Sequence, residues 1–230
     1  MPELTNIGRV TMRFGYIITS FVRRLNARSF LAIAGMVGPL VLIIAEVIAA
    51  SSSDQYNIFN DSISSLALTP RGYVQTIGFL AIGLLVEVFT AGLLFSVRAA
   101  RGFHLGIVCL VFMGFAMLLI GAFHTDPVLS PDTVEGIIHN IAASIVFWFF
   151  PVGSLLMALS FRRDPCWQKF YRYSVFTAGL ALVLVVLVVV LEDSASWFGL
   201  AERVLVANMI IWVEVTAVRL FIISLSLGNW

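Results

Sequence analysis

The chain is predicted to be an all-α integral membrane protein, a bundle of six transmembrane helices with both termini cytoplasmic. Three observations predict it. Of its 230 residues 60% are hydrophobic and 12% charged, where a soluble domain averages about 45–50% and about 25%. The apolar residues fall into six runs of roughly the 20 residues that a helix needs to cross a bilayer. The arginines gather on alternate connections between those runs. A membrane barrel would instead show segments of about 10 residues with period-two alternation. In lipid the backbone must satisfy its own hydrogen bonds, which a helix does.

The elements follow in order. Residues 1–29 are expected to form a cytoplasmic segment in which Val10, Met12, Phe14, Ile17, Ile18, Phe21 and Val22 make an apolar stripe among arginines, the pattern of an amphipathic helix on a membrane surface. Residues 30–225 form a single six-helix domain, and 226–230 a short cytoplasmic tail. Span one runs from Phe30 to Ala50 and holds Pro39, where a kink is expected. It is too long for the h-region of a cleavable leader, about 7–15 residues. In the loop that follows, apolar residues at 58, 59, 63 and 66 have a helical period, and Pro70-Arg71-Gly72 ends that short helix.

Span two runs from Val74 to Val97 and span three from Phe103 to Phe123. Their glycines at 78, 83, 92, 114 and 121 allow close helix approach or a cavity. Span four covers Ile137 to Leu159. Pro131, with Asp132 and Glu135 at capping-box spacing, predicts that its helix starts a turn earlier. Asp132, Glu135 and His139 would then share a face. Span five, Ser174 to Leu191, is nearly all Leu and Val in its second half, which predicts the most lipid-exposed helix. Span six runs from Val204 to Leu225. Cys109 lies within a span and Cys166 in a polar loop, so no disulfide is expected.

Arg9, Arg13, Arg23, Arg24 and Arg28, then Arg98 and Arg101, then Arg162, Arg163, Lys169 and Arg172 lie on segments that share one side, while the other side carries only Arg71 and Arg203. Short-loop bias of this kind puts the basic side in the cytoplasm of a multi-pass inner-membrane protein. The arginines read as orientation and headgroup contacts, so membrane lipids are the expected partners. Neither nucleic acid nor a protein partner is indicated, and the oligomeric state is unreadable.

The ionisable residues in the apolar spans carry the chemical information, because a charge at the bilayer centre costs about 2.5–3.5 kcal/mol on insertion scales. Glu87 and Glu214 lie near mid-span, and Glu46 in the outer third of span one. A larger cluster belongs to the outer face: Asp61, Ser62 and Ser65; His124 and Asp126; Asp132, Glu135 and His139; Glu202 and Arg203. Such residues bind metals or exchange protons. His104 is about 20 residues, hence roughly 30 Å, from His124 along one helix. Any zinc site is therefore limited to His124 and His139 with carboxylates such as Asp126.

Four features occur in order: Asp61-Ser62-Ile63-Ser64-Ser65-Leu66, His124-Thr125-Asp126-Pro127, His139-Asn140, and Gly199-Leu200-Ala201-Glu202-Arg203 followed by Trp212. Together they resemble the bacterial and archaeal membrane proteins grouped as domain of unknown function 998, over nearly the whole chain. That resemblance implies a compact helical bundle with outer-facing polar residues and brings no activity. Ceramidase-like zinc hydrolases are a more distant likeness, and the chain lacks their His-x-x-x-His on a late helix.

Three functions follow as expectations. The first is a protein that binds a lipid or small amphiphile through His124, Asp126, Glu135, His139, Asp61, Ser65, Glu202 and Arg203. The second is an intramembrane hydrolase or transferase, with or without zinc, using His139, Asp126 and Ser62. The third is a small proton-coupled transporter using Glu87 and Glu214. The chain has no phosphate-binding Gly-x-x-x-x-Gly-Lys, no dinucleotide fingerprint, no Cys-x-x-Cys and no lysine in a span, so nucleotide, dithiol and retinal chemistry are excluded.

Overall fold

A computed structural model describes residues 25–127, 130–192 and 196–227. The expected amphipathic segment before residue 25 and the tail beyond 227 lie outside the described residues. Six helices are long and apolar enough to cross a membrane. They are α1 Ala27–Ala50, α2 Gly72–Ser96, α3 Phe103–Ala122, α4 Val134–Phe161, α5 Tyr171–Leu191 and α6 Phe198–Leu227. Short 3-10 turns cover Ser64–Leu68 and Gln168–Phe170, and the described residues contain no strand.

Each helix packs on its neighbour in sequence, and α1 closes the ring against α6. The connections therefore alternate between two ends. One end, here the acidic end, carries residues 51–71, 123–127, 130–133, 192 and 196–197. The other, the arginine-rich end, carries 97–102 and 162–170. Outward faces are apolar, with residues such as Ile44, Leu84, Phe95, Phe115 and Val183 more than half exposed.

Helices in lipid gain little from burying apolar surface against one another, so packing and polar contacts must hold them together. The glycines do this by bringing backbones close. A methyl group at Gly83 would lie 2.9 Å from the Leu118 backbone nitrogen and 3.0 Å from the Gly114 carbonyl, and one at Gly78 would lie 2.6 Å from the Ala45 side chain. Polar contacts tie the first helix to the last. Asn26 caps α1 in a capping box with Ser29, and Ser29 and Ser224 share a 2.8 Å hydroxyl bond across α1 and α6.

At the arginine-rich end Asp164 accepts the Arg98 and Cys166 amides, both at 2.8 Å. Beside it the wholly buried Trp167 stacks on Phe161. Both cysteines are free.

Three expectations are corrected. Helix α4 is capped by Thr133, whose hydroxyl accepts the Gly136 amide, and not by Asp132. Asp126 from the preceding loop holds Thr133 in that position, so Asp132 stays outside the helix and off the face of Glu135 and His139. Helix α5 shares with α1 and α6 the lowest burial of the six spans and is not alone as the most exposed; its Ala181, Leu184, Val185 and Val188 pack inward. The turn after α1 is shorter than the apolar period suggested. Ile63 and Leu66 are buried, while Ile58 and Phe59 stay exposed.

Candidate functional site

The centre of the acidic end is a hydrogen bond between Ser64 and His139. Ser64 starts the 3-10 turn; His139 lies in the second turn of α4. The Ser64 hydroxyl is 2.9 Å from His139 Nε2, and His139 Nδ1 is 2.8 Å from the Phe123 carbonyl. A carbonyl only accepts, so Nδ1 carries the ring proton. In the neutral ring Nε2 is then the acceptor, and the Ser64 hydroxyl donates to it. Both side chains are buried, His139 at 3% exposure and Ser64 at 9%.

The third buried group is Glu202 in the first turns of α6. Its Oε2 accepts the Ile63 amide at 2.7 Å, which fixes the peptide leading into Ser64. Ser64 and Glu202 line one small cavity of about 20 Å³, whose other walls include Leu42 of α1, Phe79 of α2, Met117 of α3, Ala143 and Phe147 of α4, and Val206 of α6. That is room for roughly one water-sized group. Gln75, one turn from Phe79 on the same buried face of α2, is fully buried, and its amide has no partner among the described residues. Unmet buried amides cost about 1–3 kcal/mol.

The remaining cluster residues surround this centre in two clamps. The first joins the end of α3 to the start of α4. Asp126 accepts the Thr133 amide at 2.9 Å and the Thr133 hydroxyl at 2.7 Å. Glu135 accepts the His124 amide at 2.8 Å and meets His124 Nδ1 at 3.0 Å, and His124 Nε2 reaches Thr76 at 3.2 Å. This pins the segment whose Phe123 carbonyl orients His139. Gly136 is required here, since a methyl group would collide with the Asp126 carboxylate.

The second clamp is Arg203. Its Nε donates to Glu46 at 2.8 Å, its Nη1 reaches the Ile58, Asp61 and Gly199 carbonyls at 2.8–2.9 Å, and its Nη2 donates to the Tyr56 hydroxyl. Tyr56 in turn donates to the Ser62 carbonyl. Burial pushes the Tyr56 phenol up to about 12, against the opposing pull of Arg203, so it stays a neutral donor. The Asp61 carboxylate accepts the Asn57 amide. Ser62 and Ser65 close a local turn, Ser62 Oγ accepting the Ser65 amide and Ser65 Oγ donating to the Ser62 carbonyl.

The sequence-predicted residues thus meet at one end, and the serine facing His139 is Ser64, which the sequence reading passed over for Ser62 and Ser65. His124, Asp126 and His139 do not converge as metal ligands, and no group of three such side chains does so among the described residues. Glu87 packs against Gly114 of α3, and its Oε1 has no partner among the described residues; nor has Glu214 Oε2. No hydrogen bond or ion pair among the described residues joins these two carboxylates.

The Asp126 clamp has a pH signature. Hydrogen bonds from the Thr133 amide and hydroxyl hold the Asp126 carboxyl below its ordinary value. A lowered folded-state pKa means that this contribution is complete above the ordinary carboxylate range and is lost as pH falls through the lowered value. The carboxyl carbon of Asp126, followed by NMR in detergent, should titrate below the ordinary aspartate value. Thr133→Val removes the hydroxyl bond and should raise that midpoint. An unmoved midpoint would show that the hydroxyl bond is absent in solution.

A family model described as protein of unknown function, DUF998, matches residues 36–219. No curated protein and no solved structure matches the chain.

Proposed function

The chain belongs to the DUF998 family, proteins of unknown function, and on that premise we propose a multi-pass inner-membrane protein that holds the polar head of a small amphiphile at its acidic end. The observation that carries this reading is the cavity in which two buried polar groups, Ser64 and Glu202, face otherwise apolar walls. A few polar groups converging in an apolar pocket are the usual make-up of a small-molecule site. The volume limits what enters to the tip of a headgroup, such as a hydroxyl, with the acyl chain left among the helices.

The basic bias of the tail and of the loops at 97–102 and 162–170 supports termini in the cytoplasm and the acidic end outside. A transport reading has less behind it, because nothing described links Glu87 to Glu214 or either to the cavity.

Native mass spectrometry of the protein in mild detergent tests the proposal. The wild type should retain one amphiphile, and Ala143→Leu, which fills the cavity wall, should lower its occupancy at least about tenfold, the loss expected for about 1.4 kcal/mol of binding. A wild type that retains no amphiphile in any mild detergent removes this reading.

A further inference from the structure

We infer that Ser64 is a nucleophile and His139 its general base, and that the site cleaves an acyl ester carried by a hydroxyl-bearing head. The inference rests on the amphiphile reading for its substrate and on separate geometry for its chemistry.

A serine hydroxyl is a poor nucleophile unless a neighbouring base takes its proton, and the base must itself be held in the right tautomer. Both conditions are met by bonds already in place. Ser64 Oγ lies 2.9 Å from Nε2, and the Phe123 carbonyl, 2.8 Å from Nδ1, leaves the Nε2 lone pair facing Ser64. A carbonyl does here the orienting work that a carboxylate does in a triad. That carbonyl is fixed by the His124–Glu135 and Asp126–Thr133 bonds. Ser64 is fixed through the Ile63 amide on Glu202. Ser62 and Ser65 lack such a base, since their hydroxyls serve the local turn.

The steps balance. Ser64 Oγ attacks the ester carbonyl carbon as its proton passes to Nε2. The C–O bond to the head breaks, and the leaving alcohol oxygen takes that proton, giving acyl-Ser64 and a free alcohol. A water then attacks the acyl carbon and gives its proton to Nε2. Ser64 Oγ leaves and recovers the proton. One ester and one water become one carboxylic acid and one alcohol, with no oxidant or metal. The cavity beside Ser64, about 20 Å³, is the size of that water.

Methanesulfonyl fluoride, a sulfonylating probe with a single methyl group beside its reactive centre, tests the nucleophile on the full chain in mild detergent, with adducts located by peptide mass spectrometry. Ser64 should be modified in the folded protein and not in the denatured chain, and Ser62 and Ser65 should stay unmodified. His139→Gln should slow modification by about 10²–10⁴-fold, the usual worth of a general base. Glu202→Ala should also slow it, while Glu202→Gln, whose amide oxygen still accepts the Ile63 N–H, should restore it. No adduct on Ser64, or equal adducts on all three serines, overturns the inference. Retained amphiphile without a Ser64 adduct leaves the binding reading standing and removes the catalytic one. A Ser64 adduct without retained amphiphile does the reverse.

Discussion

Arg203→Ala is expected to destabilise the protein by about 3 kcal/mol, in the range for stripping one partner from a mostly buried ion pair. Arg203 and Glu46 are 13% and 24% exposed in their side chains. The substitution strands the Glu46 carboxylate and removes a donor from Tyr56 and from the Ile58, Asp61 and Gly199 carbonyls. For a chain of this length the loss corresponds to a melting-temperature drop of about 6–12 °C in detergent. Arg203→Lys should recover little of it, because an ammonium cannot serve Glu46, Tyr56 and three carbonyls from one planar group. In a Glu46→Gln background Arg203→Ala should cost less, which is the mark of a direct pair. An unchanged melting temperature in Arg203→Ala would refute the clamp.

Trp212→Ala should cost as much or more, about 3–5 kcal/mol for emptying a large aromatic site. Trp212 is wholly buried, meets Phe150 edge-on at 5.8 Å between ring centres, and donates from its indole nitrogen to Ser174 at 2.9 Å. Trp212→Phe separates the two contributions. It keeps most of the packing and strands the Ser174 hydroxyl, so it should cost only about 1–3 kcal/mol. Thermal unfolding followed by intrinsic fluorescence in detergent reads both. Equal losses in the two variants would mean that the indole bond, and not the volume, is what matters there. Trp212 stands on α6 well below Glu202, so occupancy of the cavity at permissive temperature should be nearly unchanged.

The helices were legible because each depends on a local property, a run of apolar residues long enough to span lipid. The acidic cluster was legible for a similar reason: charged and imidazole groups at span ends are few, and alternate connections share an end. The pairings were not legible, because they depend on atoms distant in sequence. Asp132 has the spacing of a cap to Glu135, yet Thr133 wins because Asp126, seven residues earlier, receives both its donors. Glu135 is then free to hold His124.

Three serines lie within four residues, and nothing in their order tells which one meets His139. A three-residue period would have been the available clue. Ile63 and Leu66 are both buried at that spacing, as a 3-10 turn requires. The same limit applies to Arg203. At a span end it reads as a charge free for a ligand, and only the folded loop shows that Tyr56, Glu46 and three carbonyls already occupy it.

The closure of α1 against α6 has a consequence for how the protein is made. The ribosome delivers α1 and the loop bearing Ser64 well before the helix bearing Glu202 and Arg203. Until α6 enters the membrane, Glu46 has no guanidinium and the Ile63 amide no carboxylate. Nascent chains arrested before residue 198 should therefore expose the 51–71 loop to protease, and full-length chains should protect it. Helix α6 thus completes the loop made just after α1, so quality control of this bundle has to wait until α6 is in place.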